Sequence, residues 1–426
     1  MAEQAIAERV LGFAEALEAV LAQARALPPP HAQEPMPLEE ADGRILAAAV
    51  QASRDQPPFD RATRDGYALR AADVGRALSV VGQVRAGERW SGKPVGAGEA
   101  VEIMTGAPLP AGADAVVMVE HTMLQDLALR VQAGRALKPG ENVVPRGAEA
   151  RAGDTLLPMG RRIAAAEVAV AASCGCAELP VFARPQVAIV ATGDELVELA
   201  AHDIDSQVSE SRPGAPRELS EAQIYNSNSY ALAALVRGEG GAARRLAIAR
   251  DTVEELRARL AEARGAELLL LSGGVSMGKF DLVEQVLTER GAEFFFTGAK
   301  IQPGRPVVFG RLPEGPYFFG LPGNPVSTQV CFHLFVAPLL RALAGQTERA
   351  PRFVEAKLAE DAKGGAKVTR FLPAELVGAW DGATVRVVGW QGSGDVAANG
   401  RANAYCVLPA EVAAFAKGET VRVLLR

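Results

Sequence analysis

The chain has 426 residues, 49% of them hydrophobic and 23% charged, with a formal net charge of -6. At roughly 150 residues per domain it is long enough for about three domains with ample cores. The acidic balance argues against a nucleic-acid footprint. The opening MAEQAIAERVLGF lacks a signal peptide's apolar stretch, and no run approaches the ~18 apolar residues of a membrane span, so the expected location is cytoplasmic.

Ile6, Val10, Phe13, Leu17 and Leu21 recur at helical spacing before the PPP at 28–30, which predicts an amphipathic N-terminal helix within residues 1–27, packed on the later α/β domain. Residues 51–145 change to short apolar runs broken by glycine and proline, among them LSVVGQV, AVEIMTG and DAVVMVE, and read as an inserted β-rich domain. The flanking segments 28–50 and 146–182 form a linker domain around it, with a helical pattern from Ile163 through Val168 and Val170 to a cap at Gly175. From 183 to 348 strand-like and helix-like segments alternate, as in a doubly wound α/β domain whose ligands sit at the strand carboxyl ends. Residues 201–220, rich in Ser, Pro, Gly and charge, read as a mobile surface loop. The segments FLPAELV, ATVRVVGW, YCVLPA and ETVRVLLR within 349–426 predict a small β-barrel or sandwich. The fold class is therefore α/β plus β, multidomain.

Four cysteines and four histidines occur. Cys174 and Cys176 form a CxC with no second pair at zinc-finger spacing, and the histidines are scattered, so the chemistry should rest on carboxylates, hydroxyls and backbone groups. Three strand-to-loop junctions carry such groups. LLLLSGGVSMGKFD (268–281) is a buried strand followed by Gly273 and Gly274, which let several N–H groups converge on one anion, and then by Asp281, which opens a helix. An acid beside a phosphate site raises the question of magnesium. VAIVATGDEL places Thr192, Gly193, Asp194 and Glu195 past a strand, where a helix cap with first-turn acids is the competing reading. YFFGLPGNPVSTQV fixes a loop with Pro322 and Pro325 around Gly323 and Asn324, followed by Ser327; a rigid turn would look the same. Asp251 lies at the same sheet edge, with a helix-cap role before Thr252 as its alternative. KIQPGRP adds Lys300 and Arg305 on a stiff turn suited to an oxyanion. In the β-rich part, RATRDGYAL and EIMTGAPLP offer Asp65 and Thr105, each also explicable as turn chemistry.

PPFDRATRDGYAL, IMTGAP, ATGDEL, SGGVSMGKFD, PGRP and LPGNPVS, in this order, resemble the molybdopterin molybdenumtransferases, whose relatives include the E domain of gephyrin. The resemblance covers essentially the whole chain. It implies an elongated homodimer with a composite active site, in which Asp65 and Thr105 of one subunit face the α/β cleft of the other. It also implies a reaction in which adenylylated molybdopterin and molybdate are substrates, Mg2+ assists cleavage of the phosphoanhydride, and AMP leaves as molybdenum joins the dithiolene. Carried onto this chain, the catalytic positions are Asp65, Thr105, Glu195, Asp251 and Asp281, the last three also holding the metal. Substrate-binding positions are Thr192, Gly193, Asp194, Gly273, Gly274 and Ser276, then Pro303, Gly304, Arg305 and Pro306, then Pro322, Gly323, Asn324, Pro325 and Ser327, with Arg370 and Ser393 from the last domain. The implied partners are a second copy of the chain, molybdopterin adenylyltransferase and molybdopterin synthase, with no nucleic acid and no membrane.

Several positions depart from the family pattern. Glu149 in RGAEA stands where an aspartate is usual, Gln302 and Arg305 replace two lysines of KPGKP, and Asn226 in YNSN replaces an acid. Two other readings remain. A molybdopterin adenylyltransferase shares the glycine loop but has no place for DGYA, MTGAP or a C-terminal β domain. A gephyrin-like binding scaffold would make the site structural.

Overall fold

The computed structural model describes residues 9–125, 128–199, 219–274, 282–313, 315–365 and 367–426. Its centre is a six-stranded sheet in the order Ala242–Arg245, Gln186–Ala191, Leu268–Ser272, Tyr317–Leu321, Val308–Arg311, Glu293–Phe296. The first four strands are parallel; Val308–Arg311 runs antiparallel to its neighbours Tyr317–Leu321 and Glu293–Phe296. Leu268 to Leu271 are wholly buried because both faces are covered, each leucine contributing about 1.5–3 kcal/mol relative to exposure. One face packs under Ser227–Gly238 and the long helical run Pro325–Leu343; the other packs under Val253–Glu262 and Leu282–Glu289.

The N-terminal helix spans Phe13–Ala26, a later start than the periodicity suggests. Val10 and Leu11 instead pair in parallel with Gly298 and Ala299, and the Glu15 carboxylate accepts the Gly12 N–H at 2.8 Å, which fixes the helix start. Ala16, Val20 and Ala24 bury against the α/β core, and Tyr317 donates its hydroxyl to Gln23 at 3.1 Å.

Gln33–Pro37 pairs with Glu178–Phe182, and Val50–Gln51 with Thr155–Leu157, so the chain leaves and re-enters one small unit. Between these points lies a four-stranded sheet in the order Ser79–Val84, Glu99–Ile103, Gly66–Leu69, Ala115–Met118. The helix Ala165–Ser173 ends beside Gly175, whose positive φ of 83° suits glycine. At the C-terminus, Thr369–Ala379, Gly382–Val387, Phe353–Leu358, Thr420–Leu425 and Ala404–Leu408 pair successively, and the last pairs again with the first, closing a five-stranded barrel. The barrel's Phe371 meets Phe13 edge-on at 5.1 Å, joining it to the N-terminal helix.

The helical run Pro325–Leu343, 19 residues of mean hydropathy 1.4, is long and apolar enough to cross a membrane, but 89% of its apolar window is buried in the fold. Most of it is apolar because it lies between the sheet and the N-terminal helix. The segment read as a mobile loop, 201–220, lies almost entirely outside the described residues.

Candidate active site

Strand register builds the site. Ala191 is level with Ser272, and Ser272 with Leu321, so three loops leave the sheet side by side. Backbone bonds tie them together: Thr192 N–H donates to the Ser272 carbonyl at 2.9 Å, and Gly273 N–H to the Leu321 carbonyl at 3.1 Å. A cleft of about 790 Å³ opens above these ends. Nine of the sequence-predicted residues line it: Thr192, Gly193, Glu195, Asp251, Gly273, Gly274, Gly323, Asn324 and Pro325. Gly394 and Val396 of the C-terminal domain complete one side.

Gly273 and Gly274 have φ of 93° and 67°. A Cβ on Gly273 would sit 2.5 Å from the Thr192 carbonyl oxygen, and one on Gly274 2.7 Å from Thr192 Oγ1. Sterics and dihedral angle therefore both demand glycine here. Thr192 is 3% exposed, and its hydroxyl has no hydrogen-bond partner among the described residues. A buried hydroxyl left over at the rim of a cleft is available to a ligand. Ser276 and Asp281 lie outside the described residues.

The helix-cap readings of the acids do not hold. The ATGDEL loop runs directly into a short strand, Leu196–Val197, paired with Ile224–Tyr225, and not into a helix. Thr252, not Asp251, caps the helix Val253–Glu262, accepting the Glu255 N–H at 3.3 Å. Asp251 is thereby left to face the cleft with Glu195. Asp194 does not line the cleft: its Oδ1 accepts the Asp251 N–H at 3.3 Å, and its carbonyl accepts Arg250 at 2.8 Å, so it holds Asp251 in place. Gly193, at φ 148°, lies under the Glu195 carboxylate, which a Cβ would meet at 2.4 Å. Among the described residues no cluster of three or more metal-type side chains occurs.

Asn324 starts the helix Pro325–Cys331 and donates through Nδ2 to Ser393 Oγ at 2.9 Å, while Val326 N–H donates to the Ser393 carbonyl at 3.0 Å. The C-terminal domain is thus joined to the third loop. Ser327 is 3% exposed, inside the helix and outside the cleft lining. One residue escaped the sequence reading. Asn228, at the start of the helix Ser227–Gly238, donates through Nδ2 to Ser272 Oγ at 2.9 Å and to the Gly323 carbonyl at 2.7 Å, bridging the second and third loops. An amide near a helix start looks like a cap in sequence, and the cap is in fact Asn226, which accepts the Ser229 N–H at 3.2 Å. Asn226 also donates to Glu198 at 2.6 Å, so this departure from the family's acid has a structural use.

The PGRP turn and Arg370 do not line this cleft. Ile301 and Gln302 pair in parallel with Thr369 and Arg370, extending the barrel sheet. Gly304 rests on Cys331, whose thiol donates to the Gly304 carbonyl at 3.5 Å; a Cβ there would be 2.6 Å from the sulfur. Arg305 is exposed, and Pro303 and Pro306 flank the same turn. Arg370 turns into its own domain, donating to the Lys363 carbonyl at 2.7 Å. Pro322 precedes the third loop as a buried residue whose carbonyl accepts the Thr328 hydroxyl.

Asp65 and Thr105 meet far along the chain from these loops. Thr105 donates both its N–H, at 2.6 Å, and its hydroxyl, at 2.7 Å, to Asp65 Oδ1. The backbone bond, then the hydroxyl, hold the Asp65 carboxyl below the usual range, so it stays an anion at neutral pH. Neither residue lines the cleft of its own chain. Glu149 is paired with Arg61 at 2.8 Å on the surface of the same region.

Comparison with known proteins agrees with this architecture. Residues 11–175 match the model of the MoeA N-terminal region (domain I and II), residues 188–342 that of a probable molybdopterin binding domain, and residues 355–425 that of the MoeA C-terminal region (domain IV). The chain is 34% identical over 399 residues to a molybdopterin molybdenumtransferase of Nostoc sp., covering 90% of this chain and 86% of that one. A Staphylococcus aureus molybdopterin molybdenumtransferase is 33% identical, with coverages of 91% and 90%. The crystal structure of a molybdopterin biosynthesis moeA protein from Pyrococcus horikoshii OT3 superposes with a TM-score of 0.78 at 29% identity, covering 98% of this chain and 100% of that one. With three matched regions in the same order, near-complete coverage and the same overall fold, the chain belongs to the molybdopterin molybdenumtransferase family, transferases of molybdenum cofactor biosynthesis.

Proposed function

We propose that this chain transfers molybdenum from molybdate to the dithiolene of adenylylated molybdopterin and releases AMP, with Mg2+ at the phosphate groups. The observation that carries the reading is the cleft, where two glycines in left-handed conformation, a buried hydroxyl without a partner among the described residues and two carboxylates meet at the carboxyl ends of parallel strands. Gly273 and Gly274, which carry no side chain, let a phosphate come close to the backbone, and Thr192 Oγ1 offers it a donor. Glu195 and Asp251 fit a hard cation there, because Mg2+ is commonly held by one or two carboxylates with substrate oxygens and water as its remaining ligands. When bound, the ion supplies charge neutralisation at the phosphoryl oxygens. Asp194 keeps the Asp251 backbone fixed, and the Asn324–Ser393 bond keeps the cleft wall closed against the C-terminal domain. The same reading puts molybdate near Arg305 and the PGRP turn, outside the lining of this cleft, with Ser327 buried behind it and Ser393 held at Asn324; the inward turn of Arg370 argues against a direct contact from that residue.

The exposed Asp65–Thr105 pair fits the same reading as the opposite wall, contributed by a second copy of the chain. As an anion already holding two donors, Asp65 would act as an acceptor or base, not as an acid. Cytoplasmic location, and contact with the adenylyltransferase and the synthase that precede this step, belong to the same proposal. The test is incubation with adenylylated molybdopterin, magnesium and molybdate, following AMP and molybdenum cofactor together; absence of both, beside an active control enzyme, refutes the activity. Glu195→Gln and Asp65→Asn should each lose turnover while remaining folded. Mixed one to one, they should regain about a quarter of wild-type activity, since half the dimers then contain one intact composite site. No regain refutes the shared site.

A further inference from the structure

The helical run Pro325–Leu343 begins at the cleft and passes a second pocket. At about 1.5 Å per residue, His333 lies about 12 Å and Arg341 about 24 Å beyond Pro325. This second pocket, about 370 Å³, sits where the helix, the linker domain and the barrel meet, and Arg162, Arg341, Arg352, Arg426, His333 and Glu239 line it. We propose that it binds a tetrahedral oxyanion of the phosphate class, free or carried by a small molecule, separately from the active-site cleft.

Charge comes first. Glu239 is committed to Arg341, which grips it through Nε and Nη2 at 2.7 Å each. The four arginines outnumber the one carboxylate side chain in the lining. Arg426 donates to the carbonyls of Asn399 and Ala402 at 2.8 and 2.6 Å and to Gln329 at 3.2 Å, with no carboxylate side chain among its partners. Arg162 gives one bond to the Gly238 carbonyl at 3.0 Å, and Arg352 has no side-chain partner among the described residues. Guanidinium forks with open donors match an oxyanion's geometry.

The second observation is independent of charge. His333 is 7% exposed, and its Nε2 is buried without a hydrogen-bond partner among the described residues. It sits in a π-helical turn, Phe332–Val336, in the middle of an otherwise α-helical run, an irregularity that often marks functional sites. Burial, then the charge of Arg426, lower its pKa to about 4, with Arg341 acting in the same direction and Glu239 against them; Phe332 and Tyr405 rings pack beside it. An anion among the arginines would offset their field and raise that midpoint.

The experiment is titration of the full chain at neutral pH with inorganic phosphate, with glycerol phosphate and with molybdate, read by calorimetry and by the imidazole resonances of the four histidines. Saturable binding that shifts the His333 resonance, raises its midpoint, and weakens at least tenfold in Arg352→Gln and further in the Arg162→Gln/Arg352→Gln pair supports the site. The exposed Arg352 side chain has no partner to lose among the described residues, so its variant should fold normally. Preference for phosphate, glycerol phosphate or molybdate identifies whether a free ion, a phosphoryl group or the oxyanion substrate is the natural occupant. Absence of saturable binding, an unmoved His333 resonance, or equal affinity in the double variant overturns the proposal. Binding that shifts no His333 signal and vanishes in Gly273→Ala assigns the anion to the cleft instead, which also overturns it.

Discussion

Asn228→Ala tests whether the cleft is held by one amide. In the folded chain Nδ2 reaches Ser272 Oγ at 2.9 Å and the Gly323 carbonyl at 2.7 Å, so truncation removes two good hydrogen bonds at once. Each is worth about 1 kcal/mol net. The two groups left behind differ: Ser272 is 2% exposed, whereas Gly323 is exposed and can turn to water. The expected loss is therefore about 2–3 kcal/mol, most of it from the stranded serine. The functional effect should be larger than stability alone implies, because Gly273 and Gly323 flank the amide and a shift of about 1 Å between reacting groups costs on the order of 100-fold in rate. Asn228→Asp separates the two bonds. A carboxylate can still accept from the Ser272 hydroxyl, but it faces the Gly323 carbonyl without a donor and adds negative charge to a cleft built for anions. Urea unfolding of both variants, beside AMP release at saturating substrate, makes the measurement. A stability loss under about 0.5 kcal/mol with wild-type turnover in Asn228→Ala would refute the bridging role.

Three further outcomes follow from single contacts. Thr105→Val keeps the N–H bond to Asp65 and removes the hydroxyl, so the Asp65 midpoint should rise part of the way toward 3.8; carboxyl NMR titration reads it, and no movement would deny the hydroxyl's contribution. Because the folded midpoint is depressed, whatever stability this pair gives is present at neutral pH and fades as pH falls through it. Gly304→Ala should destabilise the fold by about 2 kcal/mol or more, from φ of 112° and the clash with Cys331 Sγ, and Cys331→Ala in the same chain should restore the steric part but not the dihedral part; simple additivity in urea melts would exclude the contact. His333 is kept neutral in the fold to about pH 4, while the unfolded chain takes up its proton near 6.5, so stability falls between those values as pH drops. His333→Leu should flatten that part of the stability curve, and an unchanged slope would place the acid sensitivity elsewhere.

The sequence by itself determined the element types and the family. Strand and helix periodicity in 183–348 and the fully apolar LLLL run follow from local burial patterns, and six ordered motifs carried the family resemblance that the comparisons then showed. It could not separate a functional acid from a helix cap, because both place Asp or Glu after a strand; only the structure shows Thr252 capping, Asp251 facing the cleft, and ATGDEL running straight into a strand. The same limit hid Asn228, whose partners lie 44 and 95 residues away. The family resemblance also put Arg370 with the substrate residues, whereas in the fold its guanidinium turns toward Lys363. Side-chain identity is written along the chain, but register decides which ends of which strands lie level, and the cleft exists because Ala191, Ser272 and Leu321 end together.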